Sequence, residues 1–179
     1  MPSSRSAHPS GRGADVDMEH ERYDDVYLRG ILRGVKTIAM VGASPNWNRP
    51  SYFAMTYLQG KGYRVIPVNP GAVGQTILKE TVYARLANLP GPVDMVDIFR
   101  NSEAAAGVVD EALALPVKPK VIWMQLGVRN DAAAAKAEAA GIQVVMNRCP
   151  KIEWARLNGE LSWMGTSSRV ISSKIQRKG

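Results

Sequence analysis

Five short apolar runs of strand length recur along this chain, with helical candidates between them. The runs are TIAMV (37–41), YRVIPV (63–68), VDMVDIF (93–99), KVIWMQL (120–126) and IQVVMN (142–147). The helical candidates are 50–59, 103–115 and 131–140, with a short turn near 83–87. A strand that is apolar on both faces leaves neither face for water, so these runs predict a parallel sheet covered on both sides. Because parallel crossovers are right-handed, the expected fold is α/β: a Rossmann-like, doubly wound, mostly parallel sheet of about five strands. The segment 131–140 supports the helical reading. It is alanine-rich, opens on Asp131 where the helix dipole favours an acid, and is stopped by Gly141.

A chain of 179 residues accommodates one such domain with a proper core and is too short to split comfortably into two. Residues 1–17 are rich in Ser, Gly, Pro and Arg and are expected to form a disordered extension. The domain is expected over 18–160, led by an amphipathic helix at 18–34. In that helix Val26, Tyr27, Leu28, Ile31 and Leu32 fall at roughly helical spacing before Gly34. A short helix through Trp154 and Leu157 should follow Cys149-Pro150, and then a basic tail over 161–179.

The formal charge of +7 raises nucleic acid as a partner, but its placement argues against one. Arg169, Lys174, Arg177 and Lys178 put +4 in the tail, and Arg5 and Arg12 offset Asp15 and Asp17 in the extension. The body keeps a mild excess of +3, which suits a small anionic ligand at least as well as a polyanion. No apolar run approaches the length of about 18 residues that crosses a bilayer, so no membrane partner is expected. The first residues lack the apolar segment of a secretory signal, and one cysteine, Cys149, fits a reducing, cytoplasmic location. A homodimer is left open.

In an open parallel sheet the ligand lies beyond the carboxyl ends of the strands, where strand order reverses. After the first strand come Gly42, Ala43 and Ser44. The glycine permits a tight turn and a close backbone approach, and the serine adds a hydroxyl. Arg49 supplies a forked cation suited to phosphate oxygens. Pro50 fits the first turn of the next helix, whose free N–H groups, with Ser51, can cradle an anion. The same residues also fit a plain strand-to-helix turn with an exposed arginine. After the second strand, Val68-Asn69-Pro70 lacks the acid that grips the ribose of NAD, which argues against a dinucleotide held that way. A simple turn is the other reading of Asn-Pro-Gly. The remaining strand ends present Phe99-Arg100-Asn101, Gln125-Leu126-Gly127 and Arg148-Cys149-Pro150.

Reactive groups are scarce, and no catalytic residue is assigned. His8 lies in the extension and His20 at its edge, so neither makes a convincing general base. Cys149 has no histidine partner in the folded body and reads as a buried, unreactive thiol. No Cys/His cluster has metal-binding spacing. Asp94 and Asp97 lie three apart in one strand, on opposite faces, and form no catalytic pair. Asp97 is expected either to meet the ligand or to pair with Arg100.

The strand ends resemble those of the CoA-binding protein family, stand-alone relatives of the CoA-binding domain of the succinyl-CoA synthetase α subunit. The likeness runs from about Thr37 to Leu157. It is carried in order by VGASPN with RPSY, GYRVIPVNPG, VDMVDIFR, VIWMQLGV and AEAAGIQVVMNRCPKIE. The resemblance implies a five-stranded Rossmann-like fold and coenzyme A, or an acyl-CoA, as the small-molecule ligand. By position Gly42, Ser44, Arg49, Pro50 and Ser51 would meet the CoA phosphates, and Val68, Asn69 and Pro70 would line the adenosine end. Phe99 and Arg100 would border the nucleotide, with Gln125 and Gly127 on the pantetheine side. NRCP is similar to the asparagine-cysteine-proline of the synthetase subunit. The 3′-phosphate and diphosphate of CoA need cations and helix N–H groups and do not need an acid for the ribose. The synthetase subunit's second domain bears a histidine that becomes phosphorylated, and the likeness does not extend to it, so a ligase reaction is not implied. Two alternatives stand beside this reading. One is a CoA-binding component of an acyl-CoA ligase or transferase completed by another chain. The other is an NAD(P)-binding regulator, which the missing acid at Asn69 disfavours.

Overall fold

The computed structural model describes residues 20–160; the expected extension over 1–17 and the basic tail over 161–179 lie outside them. In chain order, β1 (Thr37–Val41) and β2 (Arg64–Val68) precede a two-residue antiparallel pair, β3 (Thr76–Ile77) and β4 (Glu80–Thr81). Then come β5 (Met95–Ile98), β6 (Val121–Met124) and β7 (Gln143–Val145). The five apolar runs make one sheet of order β2-β1-β5-β6-β7, parallel at every pairing. The helices are α1 (Asp25–Gly34), α2 (Pro50–Gly60), α3 (Ser102–Leu113), α4 (Asp131–Ala139) and α5 (Pro150–Leu157). This is the Rossmann-like α/β fold that the runs predict.

Burial on both faces explains why the runs are apolar throughout. Every residue of β5 and β6 is buried. Alternate residues serve opposite cores, as a pleated strand requires. Ala39, Val96, Ile122 and Val144 pack with the buried faces of α3 and α4. Ile38, Met95, Trp123 and Val145 pack with α1, α2 and Leu157 of α5.

Some boundaries differ from the sequence expectation. The leading helix begins at Asp25, not at 18, because the Asp24 carboxylate accepts from the Val26 N–H at 2.7 Å and caps it there. Val26 is 78% exposed, so the inward stripe is Leu28, Ile31 and Leu32. The β3–β4 pair was not expected; its turn passes through Leu78 and Lys79 at φ 47° and 70°, the geometry of a tight hairpin. β5, β6 and β7 end one or two residues before their apolar runs do, which leaves Phe99 and Gln125 in the loops beyond β5 and β6. Strand order reverses between β1 and β5: the chain leaves β1 for β2 on one side and returns to β5 on the other. Among the described residues no helix is long and apolar enough to cross a membrane.

Candidate functional site

Helices α2, α3, α4 and α5 each start just after the carboxyl end of a sheet strand, so their partly positive ends gather along one edge. At α3 and α4, Asn101 and Asn130 cap the first turn by accepting from Ala104 N (2.7 Å) and Ala133 N (3.0 Å). At α2 the cap position is Arg49, whose side chain makes no capping bond, and Pro50 follows it.

The loop after β1 is braced from several sides. Gly42 has φ 89° and donates its N–H to Val68 O at 2.8 Å. The buried Ser51 hydroxyl accepts from Ser44 N (3.1 Å), and the Ser44 hydroxyl accepts from Asn46 N (3.1 Å). Asn69 donates Nδ2–H to Ala43 O (2.8 Å) while its Oδ1 accepts from Gly71 N (2.9 Å). The fold thus joins Gly42, Ala43, Ser44, Ser51, Val68 and Asn69 in one unit. Ala43 and Val68 are buried within it, and Pro70 opens an exposed turn beside it.

Next to this loop lies a cavity of about 730 Å³. Pro50, Phe53 and Ala54 of α2 line one wall, and Cys149, Lys151 and Ile152 at the start of α5 line another. Phe99, Arg100 and Asn101 come from the end of β5, and Gln125, Leu126 and Val128 from the end of β6. Of the residues expected at the site, Pro50, Phe99, Arg100 and Gln125 line this cavity. Gly42 touches the Phe99–Arg100 wall from behind. Gly127 sits in the exposed turn between two lining residues, and its N–H donates to Asn147 Oδ1 at 2.8 Å. Arg49, exposed, immediately precedes the lining residue Pro50. Two cations, Arg100 and Lys151, line the cavity and no carboxylate does. Such a wall suits an anion.

One carboxylate lies just beneath the lining. Asp97 is fully buried, and Gln125 Nε2–H donates to both its oxygens at 2.9 and 3.1 Å. Burial pushes the Asp97 carboxyl up to about 7, with the Gln125 N–H pulling the other way. The pairing with Arg100 considered from the sequence is therefore replaced by a pairing with Gln125. Cys149 also departs from expectation, for it is half-buried and lines the cavity. Burial raises its thiol pKa; the Ile152 and Lys151 amides oppose this, and the nearby Asp97 charge adds to it.

His20, the first described residue, is held by two contacts. Its Nδ1 lies 2.8 Å from Tyr23 Oη and its Nε2 3.0 Å from Glu138 Oε1, while Tyr23 Oη accepts from Met146 N at 2.7 Å. This network pins the segment before α1 against the end of β7. Asp94 accepts from Lys36 N and Thr37 N at the opposite, amino edge of the sheet, away from the cavity. Among the described residues no group of three or more His, Cys, Asp or Glu side chains could hold a metal.

The sequence assigns no site role to Phe53, Lys151, Ile152 or Asn147, and names Leu126 and Cys149 at strand ends without one. The strand-end rule did point to the Cys149 and Leu126 neighbourhoods. Phe53 and Ile152 carried a weaker signal, each lying early in a helix that opens with proline. Nothing in the sequence marked Asn147 for its left-handed backbone, φ 55°.

A family model described as a CoA binding domain matches residues 36–155. An uncharacterized protein of Bacillus subtilis (strain 168), YneT, is 34% identical over 128 residues, covering 72% of this chain and 92% of that protein. A cell-free expressed protein from Thermus thermophilus superposes with a TM-score of 0.71 at 39% identity, over 75% of this chain and 99% of that one. A hypothetical protein from Pyrococcus horikoshii OT3 gives 0.72 at 33% identity, over 84% and 100%. The chain therefore belongs to the CoA-binding domain family.

Proposed function

We propose that this member of the CoA-binding domain family is a cytoplasmic, single-domain protein that binds coenzyme A or an acyl-CoA without a catalytic centre of its own. One observation carries the reading beyond family membership. The β1/β5 switch point, where ligands of open α/β sheets bind, coincides with a cavity bordered by cations and by the side-chain-uncapped start of α2. In this reading Gly42, Ala43, Ser44, Arg49, Pro50 and Ser51 form the phosphate loop, and Val68, Asn69 and Pro70 line the adenosine end. Phe99 and Arg100 border the nucleotide, and Gln125 and Gly127 face the pantetheine arm. The binding domain is assigned to 18–160, with 1–17 and 161–179 flanking it. Calorimetric titration with CoA, dephospho-CoA and NAD tests the assignment. Binding in the order CoA, dephospho-CoA, NAD is expected, and absence of heat with CoA at millimolar concentration would overturn it.

A component role, with chemistry completed by another chain, is the second reading. It is favoured by the exposed apolar side chains of Phe53, Leu126 and Ile152 at the cavity. Purification with a tightly bound nucleotide-dependent ligase subunit would support it, and consistent isolation as a free protein would count against it.

A further inference from the structure

Asp97 is fully buried and flanked in the sheet by Met40 on β1 and Trp123 on β6. Its hydrogen-bonding partner is the Gln125 amide, which touches both oxygens. An ionised carboxylate can only accept, so it holds the NH₂ end of that amide and turns Gln125 Oε1 the other way. Gln125 is itself 95% buried, lines the cavity, and its Oε1 takes a hydrogen bond from no described residue. That oxygen is open to the cavity and is free to accept from a donor that a ligand brings.

We propose that Asp97 and Gln125 form a proton-controlled reader of the ligand's arm. With Asp97 ionised, Gln125 Oε1 accepts from a ligand amide N–H or thiol S–H; protonation of Asp97 withdraws that acceptor. A protonated carboxyl carries a donor that needs an acceptor, and Oε1 of the same amide is the one at hand. The amide then turns about its last torsion and brings an N–H to the cavity wall in place of the oxygen. Burial puts the Asp97 carboxyl at about 7, so both states are accessible near neutrality. Few other groups that titrate or carry charge face this pair. On α5 these are Cys149, whose thiol feels the Asp97 charge, and Lys151; Arg100 follows β5. The α2 wall contributes Pro50, Phe53 and Ala54, which carry none.

The inference rests on the CoA-binding reading and deepens it. It assigns Gln125 as the residue that senses the pantetheine arm, with its two amides and thiol, rather than the nucleotide. A ligand that bonds Oε1 binds the ionised form more tightly, so affinity is full above the Asp97 titration and falls as pH drops through it.

The test is calorimetry with CoA and with the methyl diphosphate ester of its 3′-phosphorylated ADP moiety, which lacks the arm and adds no titrating phosphate, between about pH 5.5 and about pH 8.5. The ratio of the two affinities cancels the titration of the shared phosphates. In the unmodified protein this ratio should fall about three- to tenfold as pH is lowered. In Asp97→Asn, which cannot titrate, and independently in Gln125→Leu, which has no acceptor, it should stay flat. A flat ratio in the unmodified protein overturns the proposal while CoA binding itself stands. A step that persists in Asp97→Asn, or that vanishes in Cys149→Ser, assigns the proton elsewhere and also overturns it. No CoA binding at any pH overturns both readings.

Discussion

Gly42 and Phe99 meet backbone to side-chain position across the switch point. A Cβ placed on Gly42 would lie 2.3 Å from the Phe99 carbonyl oxygen and 2.9 Å from its carbon. Gly42 also has φ 89°, a region that L side chains avoid. The contact locks the loop after β1 against the loop after β5, and the latter carries two lining residues of the cavity. Gly42→Ala is expected to destabilise the fold by about 2–4 kcal/mol, from clash and backbone strain together, and to abolish CoA heat. Urea unfolding and titration read the two effects. A variant as stable as the parent would show that the two loops are not held in contact.

Arg49 tests the phosphate assignment with little structural cost. It is exposed and makes no capping bond, so Arg49→Ala should leave stability within about 0.5 kcal/mol. If its guanidinium meets a CoA phosphate, the same change should weaken binding by about 1.5–3 kcal/mol. Arg49→Lys keeps the charge without the fork and should fall between the two. Unchanged affinity in the alanine variant removes Arg49 from the site.

The sheet was legible in the sequence because burial on both faces leaves a direct mark, as VIWM of β6 shows with four buried residues in succession. The turn after β1 was legible in outline, since Gly42 marks a tight turn and Pro50 a helix start, a pattern that a plain strand-to-helix connection shares. Asp97 was harder. Its place inside an apolar run implied burial, and a buried carboxylate needs a partner, but naming the partner required the register. Asp97 lies opposite Trp123, and Gln125, two residues on, falls on the same face. Cys149 was misjudged because its exposure depends on how α5 starts beside the β5 and β6 ends, which no local pattern encodes.

Asn147 provides a test of how the β6 loop is held. Its backbone is left-handed at φ 55°, its Oδ1 accepts from Gly127 N at 2.8 Å, and its N–H donates to Val128 O at 3.1 Å. Asn147→Gly keeps the backbone geometry and loses only the side-chain bond, for an expected cost of about 0.5–1.5 kcal/mol. Asn147→Ala loses the same bond and keeps a Cβ in the left-handed region without the polar side chain that makes asparagine tolerated there, for about 1 kcal/mol more. Chemical denaturation should rank the parent above the glycine variant and the glycine variant above the alanine one. The reverse order of the two variants would mean that the backbone conformation is not what selects asparagine here.

The buried Asp97 carboxyl should leave its signature in the pH dependence of stability. Its ordinary value is 3.8, and burial raises it in the folded state to about 7. Between those limits the folded protein holds a proton that the unfolded chain releases, so stability from this group falls as pH rises. The contribution is full below about pH 4 and lost above about pH 7, and three units correspond to at most about 4 kcal/mol. Asp97→Asn removes the charge and keeps an amide able to meet Gln125. It should therefore be more stable than the parent at about pH 8, with the advantage shrinking steadily toward about pH 4. Other carboxylates titrate with the opposite sign. One is Asp94 where, against the cost of burial, N–H bonds from Lys36 and Thr37 hold the pKa below its ordinary value. Such groups are common to both proteins and cancel in the difference. Urea unfolding of parent and variant at matched pH reads that difference. Parallel stability curves would mean that Asp97 keeps an ordinary value despite its burial, and that the proton-controlled pair does not operate near neutrality.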